Sequence, residues 1–289
     1  MTVGSLINYV KSLSHEEIDQ DLDSAIVVAA INRGIRMLDD LHPRSGTFVA
    51  RAYTLIYEAR QVMQKGMLTV DLEGANALTM IHDIPVTLKF TWASEGEEKT
   101  AVRTIEDNTV FLPDITGDGV NAVRVELTAG TLFAFLALYS PFYENRSMIP
   151  ELSLGRFVYH ASAYTDDFLS FQNIPPVTSY GYEIKDYFYS DDAAVIPDTW
   201  NADILFEYRK KPVEISIEDL EEAPETVSVD VAEDVVMMLP YLVTHDLFLD
   251  DNSDVAIRCY NIWETERARY LTERANRRTL FTRHTYKGR

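Results

Sequence analysis

Six histidines, several aspartate doublets and one cysteine are the residues here best suited to chemistry, and their spacing decides what they can do. The histidines are His15, His42, His82, His160, His245 and His284. A zinc hydrolase sets two of them on one helix face as His-Glu-x-x-His, and no pair has that spacing; His15-Glu16-Glu17 lacks the second histidine. His245-Asp246 falls in a helical pattern among acids and reads as a surface or partly packed pair. The doublets are Asp39-Asp40, Asp166-Asp167, Asp191-Asp192 and Asp250-Asp251. A glycosidase needs two carboxyls about 5 to 10 Å apart across a cleft. With 46 acidic residues no pair stands out, and the doublets read as solvated turns. Asp114-Ile115-Thr116-Gly117-Asp118-Gly119 opens like a calcium loop, but its twelfth position is Val125 and Glu126 is out of register. A strand-connecting turn is the expectation there. Cys259 rules out an intrachain disulfide and a cysteine cluster, and its apolar helical surroundings suit a small core residue. Phosphate-loop, dinucleotide and nucleophile-elbow motifs are lacking. The expectation is a protein that is not an enzyme, with no catalytic residue, metal ligand or cofactor.

Binding chemistry is more visible. The formal charge is −20, which repels nucleic acid and anionic lipid. Residues 267–289 oppose that trend. They hold Arg267, Arg269, Arg274, Arg277, Arg278, Arg283, Lys287 and Arg289 against the single acid Glu273, a net +7 that leaves −27 for the rest. A basic end on an acidic body suits contact with an acidic partner, including another copy of the chain. Trp92, Tyr180 and Tyr182 are candidates for stacking on sugar rings, though core and interface packing is the commoner use of such aromatics. Asn145-Arg146-Ser147 matches a glycosylation sequon. No apolar stretch has membrane-span length, and no secretory signal opens the chain. Residence in a cytosol before any assembly step is the expectation.

The elements that must position these residues divide into four segments. Residues 1–45 are helical: Ser14 with Glu17 forms a capping-box pattern, and Ile18, Leu22, Ile26, Ala29, Ala30, Arg33, Met37 and Leu41 recur at helical spacing. The helix predicted over 14–41 stops at Pro43. Residues 46–140 carry β alternation. Val86, Leu88, Phe90 and Trp92 make one strand, and Val123, Val125 and Leu127 another; Leu132 to Tyr139 suits a strand buried on both faces. Residues 47–60 fit strand or helix. This segment predicts a β-sandwich. Residues 141–228 are proline-punctuated and tyrosine-rich, with short strands at 157–160, 185–189 and 203–209 between irregular connections. Residues 229–289 return to helical period, with a kink at Pro240, an acidic turn at Asp250-Asp251 and a last helix carrying Tyr260 and Trp263. The fold class is α+β, an N-terminal helix and a C-terminal helix pair framing an inserted antiparallel sandwich and an irregular Tyr-rich segment.

Three passages resemble the head-to-tail connector, or neck, proteins of tailed bacteriophages. One is the opening helix, from Leu6-Ile7 through Ala30-Ile31-Asn32 to Leu38. Another runs from Asp186-Tyr187 through Val195-Ile196-Pro197 to Tyr208-Arg209 and Pro212-Val213-Glu214-Ile215. The third is Val229 to Asp251, followed by the helix with Tyr260 and Trp263. The likeness covers about half the chain, and residues 47–140 depart from the nearly all-helical minimal connectors. The resemblance implies a virion structural subunit in a neck ring, often of twelve copies, between portal and tail. It also implies residence in the host cytoplasm before assembly and passage of double-stranded DNA without specific binding. A carbohydrate-binding or adhesion module is the alternative expectation.

Overall fold

The computed structural model describes residues 1–14, 23–120 and 122–284, with side chains through residue 275. From the N-terminus the elements are α1 (Val3–Ser14), α2 (Ser24–Leu41), β1 (Ser45–Ala50), β2 (Thr54–Ala59), β3 (Met63–Gln64), β4 (Thr69–Glu73), β5 (Ala77–His82), β6 (Val86–Ser94), β7 (Glu97–Ile105) and β8 (Thr109–Phe111). Then follow α3 (Pro113–Thr116), β9 (Ala122–Ala129), β10 (Thr131–Tyr139), β11 (Glu151–Ser153), β12 (Arg156–His160), β13 (Phe168–Phe171), β14 (Val177–Thr178), β15 (Phe188–Ser190), β16 (Ala193–Pro197) and β17 (Ile204–Lys210). Helices α4 (Ile217–Glu221), α5 (Leu239–Phe248) and α6 (Ser253–His284) close the chain. Helices near both ends thus frame a mostly antiparallel β region, an α+β fold. Among the described residues no helix is long and apolar enough to cross a membrane.

The chain forms two compact units. Met1–Arg44 and Lys211–Arg289 make a helical unit, and Ser45–Lys210 make a β unit.

In the helical unit, α1 contributes Val3, Leu6 and Val10, one buried stripe at helical spacing. Helix α2 adds Val27, Ala30, Ile31, Ile35 and Leu38, α5 adds Leu239, Leu242 and Val243, and α6 adds Ala256, Cys259 and Trp263. Gly34 lets α2 and α5 meet: a Cβ there would lie 2.5 Å from Leu239 Cδ1. Buried Asn32 is satisfied by the returning chain, donating to the Ile215 carbonyl and accepting from the Ile215 amide, both at 2.8 Å.

Three details differ from the sequence expectation. Ser14 ends α1 and donates to the Lys11 carbonyl, while Asp23 caps α2; Glu17, Ile18 and Leu22 lie outside the described residues. An aspartate two residues before the first apolar step of α2 outcompetes a longer helix as a start signal. The buried face of α2 is also rotated from the expected stripe, since Ile26, Arg33 and Met37 point outward. Finally, Pro240 makes no kink. It sits in the first turn of α5, where its missing N–H costs nothing, and residues 231–235 upstream are not helical.

The β unit holds four sheets. One has the order β2-β10-β5-β8, and another β4-β9-β6-β7. These two face each other across a core of Leu72, Leu88, Phe90, Val125, Leu78, Met80 and Phe135. The other face of β10 presents Ala134, Leu136 and Leu138 to a second core with Phe48, Phe157, Phe206 and Tyr208. Burial on both faces is what the unbroken run from Leu132 requires. The remaining sheets, β11-β12-β16-β15 and β1-β17-β13, cover that second core. Residues 47–60 are strands β1 and β2. Within the tyrosine-rich segment, β12 and β17 fall at the expected strands, β15 takes only the end of the expected 185–189 strand and runs on to Ser190, and β16 is a further strand paired with both β12 and β15.

Candidate functional site

The helical unit carries a groove of about 640 Å³ between α2 and α6. Met37, Asp40 and Leu41 line one wall; Tyr260, Trp263, Glu264, Arg267, Leu271 and Arg274 line the other. Both sets follow steps of three and four, so each helix offers one continuous face. The floor is aromatic. Tyr260 lies 5.4 Å from Trp263 between ring centroids, and His245 lies 5.0 Å from Tyr260. The Trp263 ring is buried, yet its indole Nε1 has no hydrogen-bond partner among the described residues. Arg267 stacks over that ring at 5.4 Å and donates to Glu264 at 3.2 Å. Arg274 donates to the Leu41 carbonyl at 2.9 Å, a cation placed at the C-terminal end of α2 where the helix dipole favours it. Tyr270 Oη bonds His42 Nδ1 at 2.5 Å on the adjoining side. The rim therefore alternates charge around an apolar floor with Met37, Tyr260 and Leu271 each about 40% exposed. That arrangement suits packing against apolar side chains of a partner, with the charged rim around them.

The basic residues of the C-terminal segment divide. Arg267 and Arg274 line the groove, while Arg269 pairs with Glu266 at 2.8 Å on a neighbouring face of α6. The side chains of Arg277, Arg278 and Arg283, and the whole of Lys287 and Arg289, lie outside the described residues. Sequence reasoning missed Trp263, Leu271 and Met37 as site residues. The three-and-four spacing of Tyr260, Trp263 and Leu271 with Arg267 and Arg274, both already candidates for partner contact, is the available signal.

The candidate stacking residues are not gathered. Trp92 lies on β6, half-buried against the core between the two facing sheets. Tyr180 and Tyr182 flank Gly181 in a turn after β14, which pairs with β17 in a different sheet. They are 76% and 64% exposed.

Several of the residues weighed for catalysis make structural contacts. Asp39 is buried and bound by Arg44, whose other arm reaches Asp230; Asp230 also accepts from the Val213 amide at 2.8 Å. Asp167 accepts from Lys210 at 2.8 Å, from Thr165 at 2.5 Å and from Tyr208. Lys210 first, then the two hydroxyls, hold this carboxyl well below the usual range. Asp192 accepts from Ser162 at 3.1 Å, with His160 Nδ1 3.5 Å away. His82 donates to the Ile84 carbonyl, and His245 to the Ala256 carbonyl. Burial pushes the Cys259 thiol up, as for a core residue. Burial likewise raises the phenols of Tyr143 and Tyr159. Asp114 opens the single turn of α3, and Val125 is fully buried on β9. Among the described residues no group of three or more His, Cys, Asp or Glu is placed to hold a metal.

No protein-family model and no curated protein matches this chain. A rhamnosidase from Klebsiella oxytoca with rhamnose bound shows 11% identity and a TM-score of 0.18 over 37% of this chain, which spans 30% of that one. The regulatory subunit of a cAMP-independent protein kinase A from Trypanosoma brucei shows 10% identity and a TM-score of 0.16, covering 68% of this chain and 86% of that one. Scores this low carry no weight for fold or function.

Proposed function

We propose that this chain is a structural subunit of a bacteriophage neck, one copy in a ring that joins the portal-bearing head to the tail. The groove between α2 and α6 carries the reading. Its exposed Met37, Tyr260 and Leu271 and its alternating charged rim have the chemistry of a subunit contact rather than of a reaction centre. The resemblance of the terminal passages to connector proteins supports the same reading, and twelve copies is the number that resemblance implies. An acidic body fits the passage of DNA, because affinity for the duplex comes from neutralised phosphates. The subunit would reside in host cytoplasm until it joins the virion.

The test combines purified chain with portal and follows mass by light scattering, alongside mass spectrometry of virions. Ring formation and presence in virions support the proposal. A chain that stays monomeric with portal and is absent from virions sinks it. Carbohydrate binding is the second reading, favoured by the exposure of Tyr180 and Tyr182 on one turn. A glycan array with the Tyr180→Ala and Tyr182→Ala variants decides it, and silence across the array retires it.

A further inference from the structure

Strand β7 is the long open edge of the sheet ordered β4-β9-β6-β7. It runs nine residues, pairs along its whole length with β6, and among the described residues pairs with no other strand. Its backbone polarity follows from the hairpin. Glu95 and Gly96 form a two-residue loop with φ of 57° and 82°, the pattern of a type I′ turn. Such a loop closes on a hydrogen-bonded pair, here Ser94 and Glu97. The odd-numbered residues of β7 therefore bond to β6, and the amides and carbonyls of Glu98, Thr100, Val102 and Thr104 point away from the sheet. The Arg103 guanidinium reaches the Val102 carbonyl at 3.4 Å, as an outward carbonyl allows. All four outward residues are exposed. An edge with unsatisfied groups of this length is a template for another strand.

We propose that β7 pairs with β7 of a second copy of this chain, antiparallel about a two-fold axis through Thr100. Charge selects the second copy and the register. With the axis at Thr100, Glu97 of each copy lies opposite Arg103 of the other, twice, in the non-hydrogen-bonded pairs where side chains come closest. Thr100 then pairs with itself, and Val102, 54% exposed, lies beside Glu98. Moving the axis one residue back sets Lys99 against Lys99. Moving it one residue forward sets Lys99 against Arg103. Two repulsive neighbours thus bracket one attractive register. The sheet becomes eight-stranded and continuous across two copies. A single strand pair is a small interface, so the dimer is weak and concentration-dependent. The inference uses only the β unit and stands apart from the neck reading.

Sedimentation equilibrium of the full chain over a concentration series tests it. The expected result is a reversible monomer–dimer equilibrium. Arg103→Glu raises the dimer dissociation constant about tenfold, and Glu97→Arg does the same. Combining the two substitutions restores the wild-type value. Thr100→Pro abolishes the dimer while leaving thermal unfolding unchanged, since that amide points outward and takes no part in the ladder with β6. Thr100→Cys cross-links two copies under mild oxidation, because paired Cα atoms there lie about 5.5 Å apart. Val102→Cys, facing Glu98, does not. A chain that stays monomeric throughout overturns the proposal. So does a dimer that Thr100→Pro leaves intact, or one that Val102→Cys cross-links better than Thr100→Cys.

Discussion

Gly46 and Tyr208 show how tightly single residues are set in the β unit. Gly46 lies opposite Tyr208 in the register of β1 and β17, and a Cβ at Gly46 would sit 2.4 Å from Tyr208 Cζ. The ring it admits carries the hydroxyl that bonds Asp167. Gly46→Ala is expected to destabilise by about 1–3 kcal/mol, the usual range for forcing extra volume into a packed site. Tyr208→Phe keeps the ring and loses the hydroxyl's bonds to Asp167 and Thr165, about 1.5–3 kcal/mol. Urea unfolding midpoints of the two variants check both figures. Asp167 adds a pH dependence of definite sign. Its folded-state pKa is depressed, so its contribution is present above the ordinary aspartate range and disappears as pH falls from about 4 downward. Asp167→Asn is expected to flatten that limb of a plot of Tm against pH and leave the neutral region parallel to wild type. A steeper acid limb in the variant would contradict the assignment.

Elements meet the sequence patterns unevenly. Strands β6, β9 and β10 were legible because alternation or an unbroken apolar run is a local signal, and each strand is long enough to display it. Strand β16 was not. Its Ala193-Ala194-Val195-Ile196-Pro197 is short, ends in proline and is held by partners on both sides, so nothing local marks it. The groove was hidden for a different reason. Its walls come from α2 and α6, at opposite ends of the chain, and a stripe that helps bury a helix looks the same in sequence as one that lines a cleft. The packing of α2 on α5 offers a direct check. At Gly34 the helix-propensity gain of alanine, about 1 kcal/mol, opposes the approach to the flexible end of Leu239, and Gly34→Ala is expected near neutral. Gly34→Leu cannot be absorbed that way and should cost about 1–3 kcal/mol in chemical denaturation. In the groove itself, Leu271→Asp changes an exposed position and should leave Tm unchanged while preventing assembly with portal in the light-scattering assay. Loss of folding instead of assembly would place Leu271 in the core.

At the scale of the whole molecule, the β unit leaves and rejoins the chain at neighbouring points. Ser45 pairs with Arg209 across β1 and β17, so its two ends lie about 5.5 Å apart or closer. It also contains both of its apolar cores. A fragment of residues 45–210 is therefore expected to fold alone with a cooperative urea transition and strand-type circular dichroism. A fragment without a transition would show that the helical unit is needed to hold it.

The helical unit has the converse property. Its α1 and α2 leave the ribosome well before the side chains that cover them, Leu239, Val243 and Trp263 among others. At roughly 5–20 residues per second the wait is on the order of ten seconds or more. During that time the β unit is already free to fold, while Val27, Ile31 and Ile35 have no native cover. Nascent chains halted before α5 should thus hold a finished β unit behind two uncovered helices, the state in which a chaperone has the most apolar surface to grip.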